Sequence, residues 1–435
     1  MERQLWTKVD ERLSAEAATD YIRGVCFKTG PPGSTGVELE WLVLDRAQPH
    51  RLVSPERLDE ALASLPAADG RLPSGTRLTR EPGGQLELST SPAPRLLACV
   101  TTAAEDLALV GRALRAQGLE LSGYGLDPFR DPQRVLVQPR YAAMERYFDR
   151  IGPWGRMMMR ATTAIQVNLD AGTEGGGLDG YRARWQLAHR LGPVLVAAFA
   201  NSPLWHGKPT GWRSTRQAAW KNLDPGRTSP PQDLPAHADP RDAWAGFALD
   251  AGLLCLRRTP SGDWTAPPGL TLASWLDGGI AERPATLDDL DYHLTTLFPP
   301  VRPRGWLELR MIDAQPGDGW LVPTLLAAVL LDDPEAAWAA WCATEPLCTA
   351  SSPFPPRAVW ARAARLGMSV PELARAAMAC FEAAIPALAR AGVPAQLREQ
   401  VAAFAARYPA RGRCPADELL DHPAALLPVH PEGTY

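Results

Sequence analysis

Four short stretches of the chain place polar, mostly ionisable or amide side chains at alternate positions. They are Glu38 and Glu40 in Val37-Glu38-Leu39-Glu40-Trp41, Gln85 and Glu87 in Gln85-Leu86-Glu87-Leu88, Gln166 and Asn168 in Ile165-Gln166-Val167-Asn168-Leu169, and Glu308 and Arg310 in Leu307-Glu308-Leu309-Arg310-Met311. On a strand, residues i and i+2 share a face. One such pair alone is the ordinary pattern of a half-exposed strand. Here all four polar faces carry carboxylates, carboxamides and one arginine, without the Thr/Lys mixture common on solvated sheets. The pattern predicts one concave face that gathers several anions, which repel each other unless cations sit between them. Oxygen donors of this kind suit the hard cations Mg²⁺ or Mn²⁺. The seven histidines, at 50, 189, 206, 237, 293, 422 and 430, include no zinc-type spaced pair. Mg²⁺ usually arrives with substrate phosphates, so a nucleotide-dependent reaction is expected over simple metal-assisted hydrolysis.

Other residues offer weaker chemistry. Arg213 and Arg216, in Gly211-Trp212-Arg213-Ser214-Thr215-Arg216, suit capture of a carboxylate or phosphate by the guanidinium fork. Arg302 and Arg304 precede the last polar strand, close enough to Arg310 to face phosphates. His293 reads as a packed helical histidine, with a role as a base the alternative. Gly30-Pro31-Pro32-Gly33 is followed by no Gly-Lys-Ser/Thr ending, so it is a turn-rich loop and not a phosphate loop. No Gly-x-Ser-x-Gly occurs, which removes the esterase elbow.

The elements that must position these residues are strands at 37–44, 76–81, 85–89, 119–125, 157–171 and 304–312, with longer helices at 94–118, 178–200 and 241–256 between them. Their interspersion, without a dinucleotide-binding fingerprint, predicts an α+β protein built on one mostly antiparallel sheet. Residues 201–240 are rich in Pro, Gly, Arg and Trp and have little regular period, which points to a functional segment such as a substrate lid, or else to disorder. From about 319 the chain turns rich in Ala and Leu, with helical patterns at 321–332, 334–343, 357–366, 371–391 and 395–407. The expected organisation is a sheet-based catalytic core over 1–318 and an all-helical region over 319–435 packed on it.

Composition narrows the class. The 435 residues are 46% hydrophobic and 22% charged, with a net charge of −4, which argues against partners held by bulk charge such as nucleic acid or an acidic membrane. No apolar run approaches the ~20 residues of a membrane span. The N-terminus, Met1-Glu2-Arg3-Gln4, opens a mixed polar segment without a secretory pattern. Seven dispersed cysteines without paired spacing read as reduced thiols, so a soluble cytoplasmic protein is expected. The oligomeric state stays open.

Together the motifs resemble the glutamate–cysteine ligases, in their plant-like and actinobacterial branch. The resemblance rests on Gly36-Val37-Glu38-Leu39-Glu40, Glu81-Pro82-Gly83-Gly84-Gln85-Leu86-Glu87-Leu88-Ser89, Ala200-Asn201-Ser202-Pro203 with Gly207-Lys208-Pro209-Thr210-Gly211, and His293 to Pro299 leading to Leu307-Glu308-Leu309-Arg310. These segments fall in order over 36–315. The Arg- and Ala-rich composition is similar to that of the actinobacterial enzymes that make γ-glutamylcysteine for ergothioneine. The resemblance implies a glutamine-synthetase-like fold, a curved antiparallel sheet holding ATP, Mg²⁺ and glutamate, with cysteine as amine acceptor. It implies Glu38, Glu40, Glu87 and Glu308 as carboxylate metal ligands, with Gln166 where some members have a histidine ligand and Glu81 as a further contact. It implies Arg310 at the transferring phosphoryl group and Arg216 at the glutamate α-carboxylate, with Gln85 and Asn168 beside the substrates. Another ATP-dependent carboxylate–amine ligase with a different amine would share these sheet residues, whereas the intact acidic strands and Arg310 argue against a non-catalytic nucleotide- or amino-acid-binding protein.

Overall fold

The computed structural model describes residues 12–422 apart from 67–68, 232–233, 236, 259–261 and 279–282. The N-terminal reading and the end of the helical region, 423–435 with His430, lie outside the described residues.

The strands are β1 (Thr35–Asp45), β2 (Arg77–Arg80), β3 (Leu86–Ser89), β4 (Leu119–Ser122), β5 (Ala164–Asp170), β6 (Leu204–Trp205), β7 (Lys208–Pro209), β8 (Val301–Pro303) and β9 (Trp306–Asp313). Among the described residues, seven of them form one open sheet in the order β2-β3-β1-β5-β9-β8, with β4 pairing the far half of β1. Every pairing is antiparallel. The alternation explains the one-sidedness. Val37, Leu39, Leu86, Leu88, Ile165, Val167, Leu307, Leu309 and Met311 are all buried, on the face opposite the polar residues. The helices Leu96–Ala116, Tyr181–Ala198 and Leu321–Asp332 cover that face.

Register brings the polar residues together. Glu38 lies opposite both Ser89 and Gln166, Glu40 opposite Glu87, Asn168 opposite Glu308, and Arg302 opposite Glu308. The register of β5 and β9 shifts between Ile165 and Val167, next to Gln166. An irregularity of this kind re-aims a side chain at a site.

Two expectations are corrected. The segment 157–171 is not a single strand: Trp154–Ala161 is helical and only Ala164–Asp170 is extended. Its methionines fit either state, and Arg160 decides, since on the helix it reaches Glu145 at 2.7 Å. Nor is 201–240 irregular. It holds the β6–β7 hairpin, the helix Thr215–Lys221 capped by Ser214, and the turn Pro225–Thr228 capped by Asp224. The hairpin turns on His206 and Gly207, both at positive φ, as two-residue hairpins require.

The C-terminal segment is helical over Leu321–Asp332, Pro334–Thr344, Arg357–Leu366, Pro371–Arg390, Ala395–Arg407 and Pro415–Asp421. Buried residues continue without a break from the sheet into these helices, as one hydrophobic core.

Candidate active site

On the polar face, the sheet and its flanking helices enclose a cleft of about 310 Å³. The sheet contributes Glu38, Glu40, Glu87, Gln166, Arg302 and Arg310, the β8–β9 connection adds Arg304, and the turn before β3 adds Glu81 and Gln85. That turn is pressed against the helix Trp154–Ala161. A Cβ at Gly83 would run into the Arg160 carbonyl, so the position has room only for glycine. Gln85 braces the same turn, accepting from the Gly83 amide (2.9 Å) and donating to the Thr162 carbonyl (3.0 Å).

The acidic half of the cleft is under-neutralised. Burial, then the charges of Glu308 and Glu87, push Glu38 up to about 8. Burial and Glu87 push Glu40 up to about 7. Burial, Glu87 and Glu40 raise Glu81 well above the usual carboxylate range. Glu40 and Glu87 are like charges directly opposed across strands, a destabilising pair. Gln166 mediates: its Nε2 donates to Glu40 Oε1 (2.8 Å), and its Oε1 accepts from Arg310 Nη1. Asn168 likewise donates to Glu38 Oε1 (3.1 Å). Among the described residues no three Asp, Glu, His or Cys groups are drawn into a ready-made metal cluster. The donor set nevertheless fits a hard divalent cation, because Glu38, Glu40 and Glu87 share one face, where the charge of Glu87 acts against both Glu38 and Glu40.

Arg310 holds the other half. Its Nη1 donates to Glu308 as well as to Gln166, and its guanidinium lies 5.8 Å from the centre of the Phe298 ring. Glu308 departs from the expected arrangement. It is fully enclosed, gripped by Arg302 through Nε (2.9 Å) and Nη2 (2.8 Å), with Arg304 at 3.9 Å. Burial alone would raise its pKa; the charges of Arg302 and Arg310 reverse this and hold it at about 2. In this arrangement Glu308 is a counter-ion of arginines and is not presented to the cleft as a metal ligand. Arg302 lines the cleft but spends its fork on Glu308 and the Leu297 carbonyl.

Arg216 enters from the helix Thr215–Lys221 and is buried. Its Nη2 donates to the Arg310 carbonyl (2.8 Å), and its Nη1 lies 3.7 Å from Asp313. Nη1 has no hydrogen-bond partner among the described residues. Burial lowers the Arg216 pKa, against Asp313 and Glu40, which raise it. Arg216 also lines the cleft, where its guanidinium gives an anionic ligand group a cationic partner.

Two expected candidates lie elsewhere. Arg213 pairs with Asp417 of the C-terminal segment at 2.6 Å, because it precedes the helix that turns Arg216 inward. His293 is buried, with Nε2 2.8 Å from the Ala248 carbonyl, and burial and Arg227 lower its pKa to about 3. It is a neutral packing residue.

The sequence reading missed the opposite wall. Arg140, Tyr141 and Met144 come from the helix Pro139–Asp149, and Met158 and Met159 from the helix Trp154–Ala161. Trp220, Thr295 and Phe298 complete it. Arg140 is fixed by Thr295, through Oγ1 at 2.9 Å and the carbonyl at 3.1 Å. Asp313 was missed as well. It accepts from the Asn201 amide (2.9 Å), Ser202 Oγ (2.7 Å) and Ser214 Oγ (2.9 Å), and so anchors the entry of the Arg216 helix to β9. Its signal was the polar cluster Asn201-Ser202 with Ser214, too small to satisfy itself if buried.

An open antiparallel sheet with an acidic, arginine-bounded cleft on one face is an architecture suited to an ATP-dependent carboxylate–amine ligase. The chain belongs to glutamate–cysteine ligase family 2, whose sequence profile matches residues 34–432. It is 40% identical over 417 residues to the glutamate–cysteine ligase EgtA of Mycobacterium tuberculosis, covering 94% of this chain and 91% of that protein. It is 39% identical over 422 residues to EgtA of Mycolicibacterium smegmatis, covering 95% and 93%. The chloroplastic glutamate–cysteine ligase of Medicago truncatula is 32% identical over 268 residues, 59% of this chain and 50% of that protein. Among solved structures, the Francisella tularensis glutamate–cysteine ligase in complex with AMP shares the fold, with a TM-score of 0.51 and 12% identity over 91% of this chain and 85% of that one. The protein is thus an enzyme of the glutamate–cysteine ligase type. Among the described residues no helix is long and apolar enough to cross a membrane.

Proposed function

We propose that the protein joins the γ-carboxylate of glutamate to the amino group of L-cysteine with cleavage of ATP, giving γ-glutamylcysteine, ADP and phosphate for ergothioneine synthesis in the cytoplasm. The observation that carries this reading is a single cleft in which Glu38, Glu40 and Glu87 face Arg310 and Arg216.

A carboxylate is a poor acceptor for an amine at neutral pH. Phosphorylation of the glutamate γ-carboxylate by ATP gives an acyl phosphate and ADP; the amine then attacks the acyl carbon, inorganic phosphate leaves and the amine gives up a proton. Glu38, Glu40 and Glu87 would hold Mg²⁺, or Mn²⁺ in its place, which when bound supplies positive charge to the ATP phosphates. Arg310, fixed between Glu308 and Gln166, faces the transferring phosphoryl group and offsets the charge that develops on it. Arg216, which lines the cleft, takes the glutamate α-carboxylate on its guanidinium. Its bond to the Arg310 backbone holds the two arginines at a fixed spacing, so the γ-carboxylate is delivered to the phosphoryl group. Met144, Met158, Met159, Trp220 and Phe298 keep water off the acyl phosphate and offer a soft, sulfur-compatible wall to the acceptor.

Purified protein given ATP, Mg²⁺ and glutamate should release ADP much faster once cysteine is added, with γ-glutamylcysteine as product. Equal ADP release with every amine tested, or none that depends on glutamate, would overturn the reading. Arg216→Lys keeps the charge and loses the planar fork. Its glutamate KM should rise by on the order of tenfold, the scale of one charge-assisted hydrogen bond, with little change in the ATP KM. Unchanged glutamate kinetics would make Arg216 a purely structural partner of Asp313.

A further inference from the structure

The polar face does not end at the cleft. Trp306 stands two residues before Glu308 and four before Arg310, so all three side chains leave β9 on the same face. It is 36% exposed, among the few large apolar residues left open to solvent. Its ring is tethered: Nε1 donates to Asn168 Oδ1 (2.9 Å), while Asn168 Nδ2 donates to Glu38. The Arg304 guanidinium lies 5.6 Å from the ring centre, and Arg304 also lines the cleft. Across the sheet, Gly36 lies opposite Asn168 and leaves the neighbouring floor bare, where a Cβ would already stand 3.4 Å from that of Asn168.

We propose that Trp306 is the platform on which the purine base of ATP stacks, with Arg304 meeting the phosphates between the base and Arg310. The inference rests on the ATP-dependent reading above. At ~3.3 Å per residue, the four residues from Arg310 to Trp306 span about 13 Å, comparable to an extended triphosphate and ribose. The chemistry is ordered along that line. Arg310 is at the transferring phosphoryl group, Arg304 stands part way, and a flat aromatic surface lies at the far end. An indole fixed through its Nε1 keeps a ring face for a base, and stacking of that kind needs no base-specific hydrogen bonds. Asn168 thereby acquires a positioning role, linking the platform to Glu38.

The test uses the full-length protein with Trp306→Ala and Trp306→Phe, each checked by circular dichroism. KM is measured for ATP, glutamate and cysteine, together with the inhibition constant of inorganic tripolyphosphate, which has no base. Loss of a stacked base should raise the ATP KM of Trp306→Ala by roughly tenfold. Trp306→Phe, which keeps an aromatic face, should recover most of the loss. Glutamate and cysteine KM values and the tripolyphosphate constant should be alike in all three proteins. An unchanged ATP KM in Trp306→Ala would overturn the proposal. So would a phenylalanine variant as defective as alanine, or tripolyphosphate weakened in step with ATP; either would mean that Trp306 acts only through Asn168 on the acidic face. A wild type that releases no ADP with glutamate and cysteine would instead bring down the functional reading, and the platform with it.

Discussion

Arg310→Lys should fold, bind ATP, and turn over on the order of a hundredfold more slowly, the usual loss when a preorganised donor to developing charge is removed. The expectation follows from how the side chain is held. Arg310 reaches Glu308 and Gln166 through the same Nη1, and these contacts aim the remaining donors into the cleft. Lysine is a point charge and cannot keep both contacts and also present a planar face to a phosphoryl group. Because the contact matters most as charge develops, kcat should fall while the glutamate KM moves little. Circular dichroism must show native structure, since Glu308 would lose one of its guanidinium contacts. A folded variant within about threefold of wild-type kcat would make the Arg310–Glu308 pair a structural ion pair only.

Glu87→Ala and Glu40→Ala should reverse the usual relation between stability and activity. The two carboxylates oppose each other across β1 and β3, half-buried, with Glu40 raised by its neighbour's charge. Removing either one relieves repulsion, so the thermal midpoint should hold or rise. Activity should nevertheless fall by about a thousandfold, because several kcal/mol of metal-dependent stabilisation go with the ligand. The Mg²⁺ concentration for half-maximal rate should rise in whatever activity remains. Thermal melts beside Mg²⁺ titrations of the rate provide the check. An activity loss that tracks a lowered midpoint, or an unaltered Mg²⁺ response, would remove these residues from the ligand set.

The parts of the site that could be read from the sequence are those carried by period-two alternation. Glu38, Glu40, Glu87, Gln166 and Arg310 were legible because one face of the sheet is wholly apolar core, so every polar i, i+2 pair had to face the other way. The helical wall was not legible. Met144, Met158 and Met159 sit at spacings that fit a buried core as well as a cleft, and sequence alone does not say which side of a helix meets a void. Arg213 and Arg216 looked equivalent until the helix start at Thr215 separated them by most of a turn. Glu308 obeyed the alternation, yet its surroundings are set by Arg302 across the β8–β9 register, a pairing that spacing along one strand does not reveal. The hairpin at 204–209 was hidden because its first turn position at positive φ is filled by His206 and not by glycine.

The helix Leu321–Asp332 is buried along its whole length from Leu321 to Leu331, with no polar face for water. A helix of that kind cannot serve as the surface of a smaller protein. It packs against β5 from behind while the helices Pro334–Thr344 and Pro371–Arg390 enclose its other sides. The catalytic sheet is therefore no detachable module. A fragment ending near residue 318 would expose the apolar backs of β1, β5 and β9, and a fragment beginning there would expose a wholly greasy rod. Fusion partners, split reporters and domain grafts should leave this junction intact.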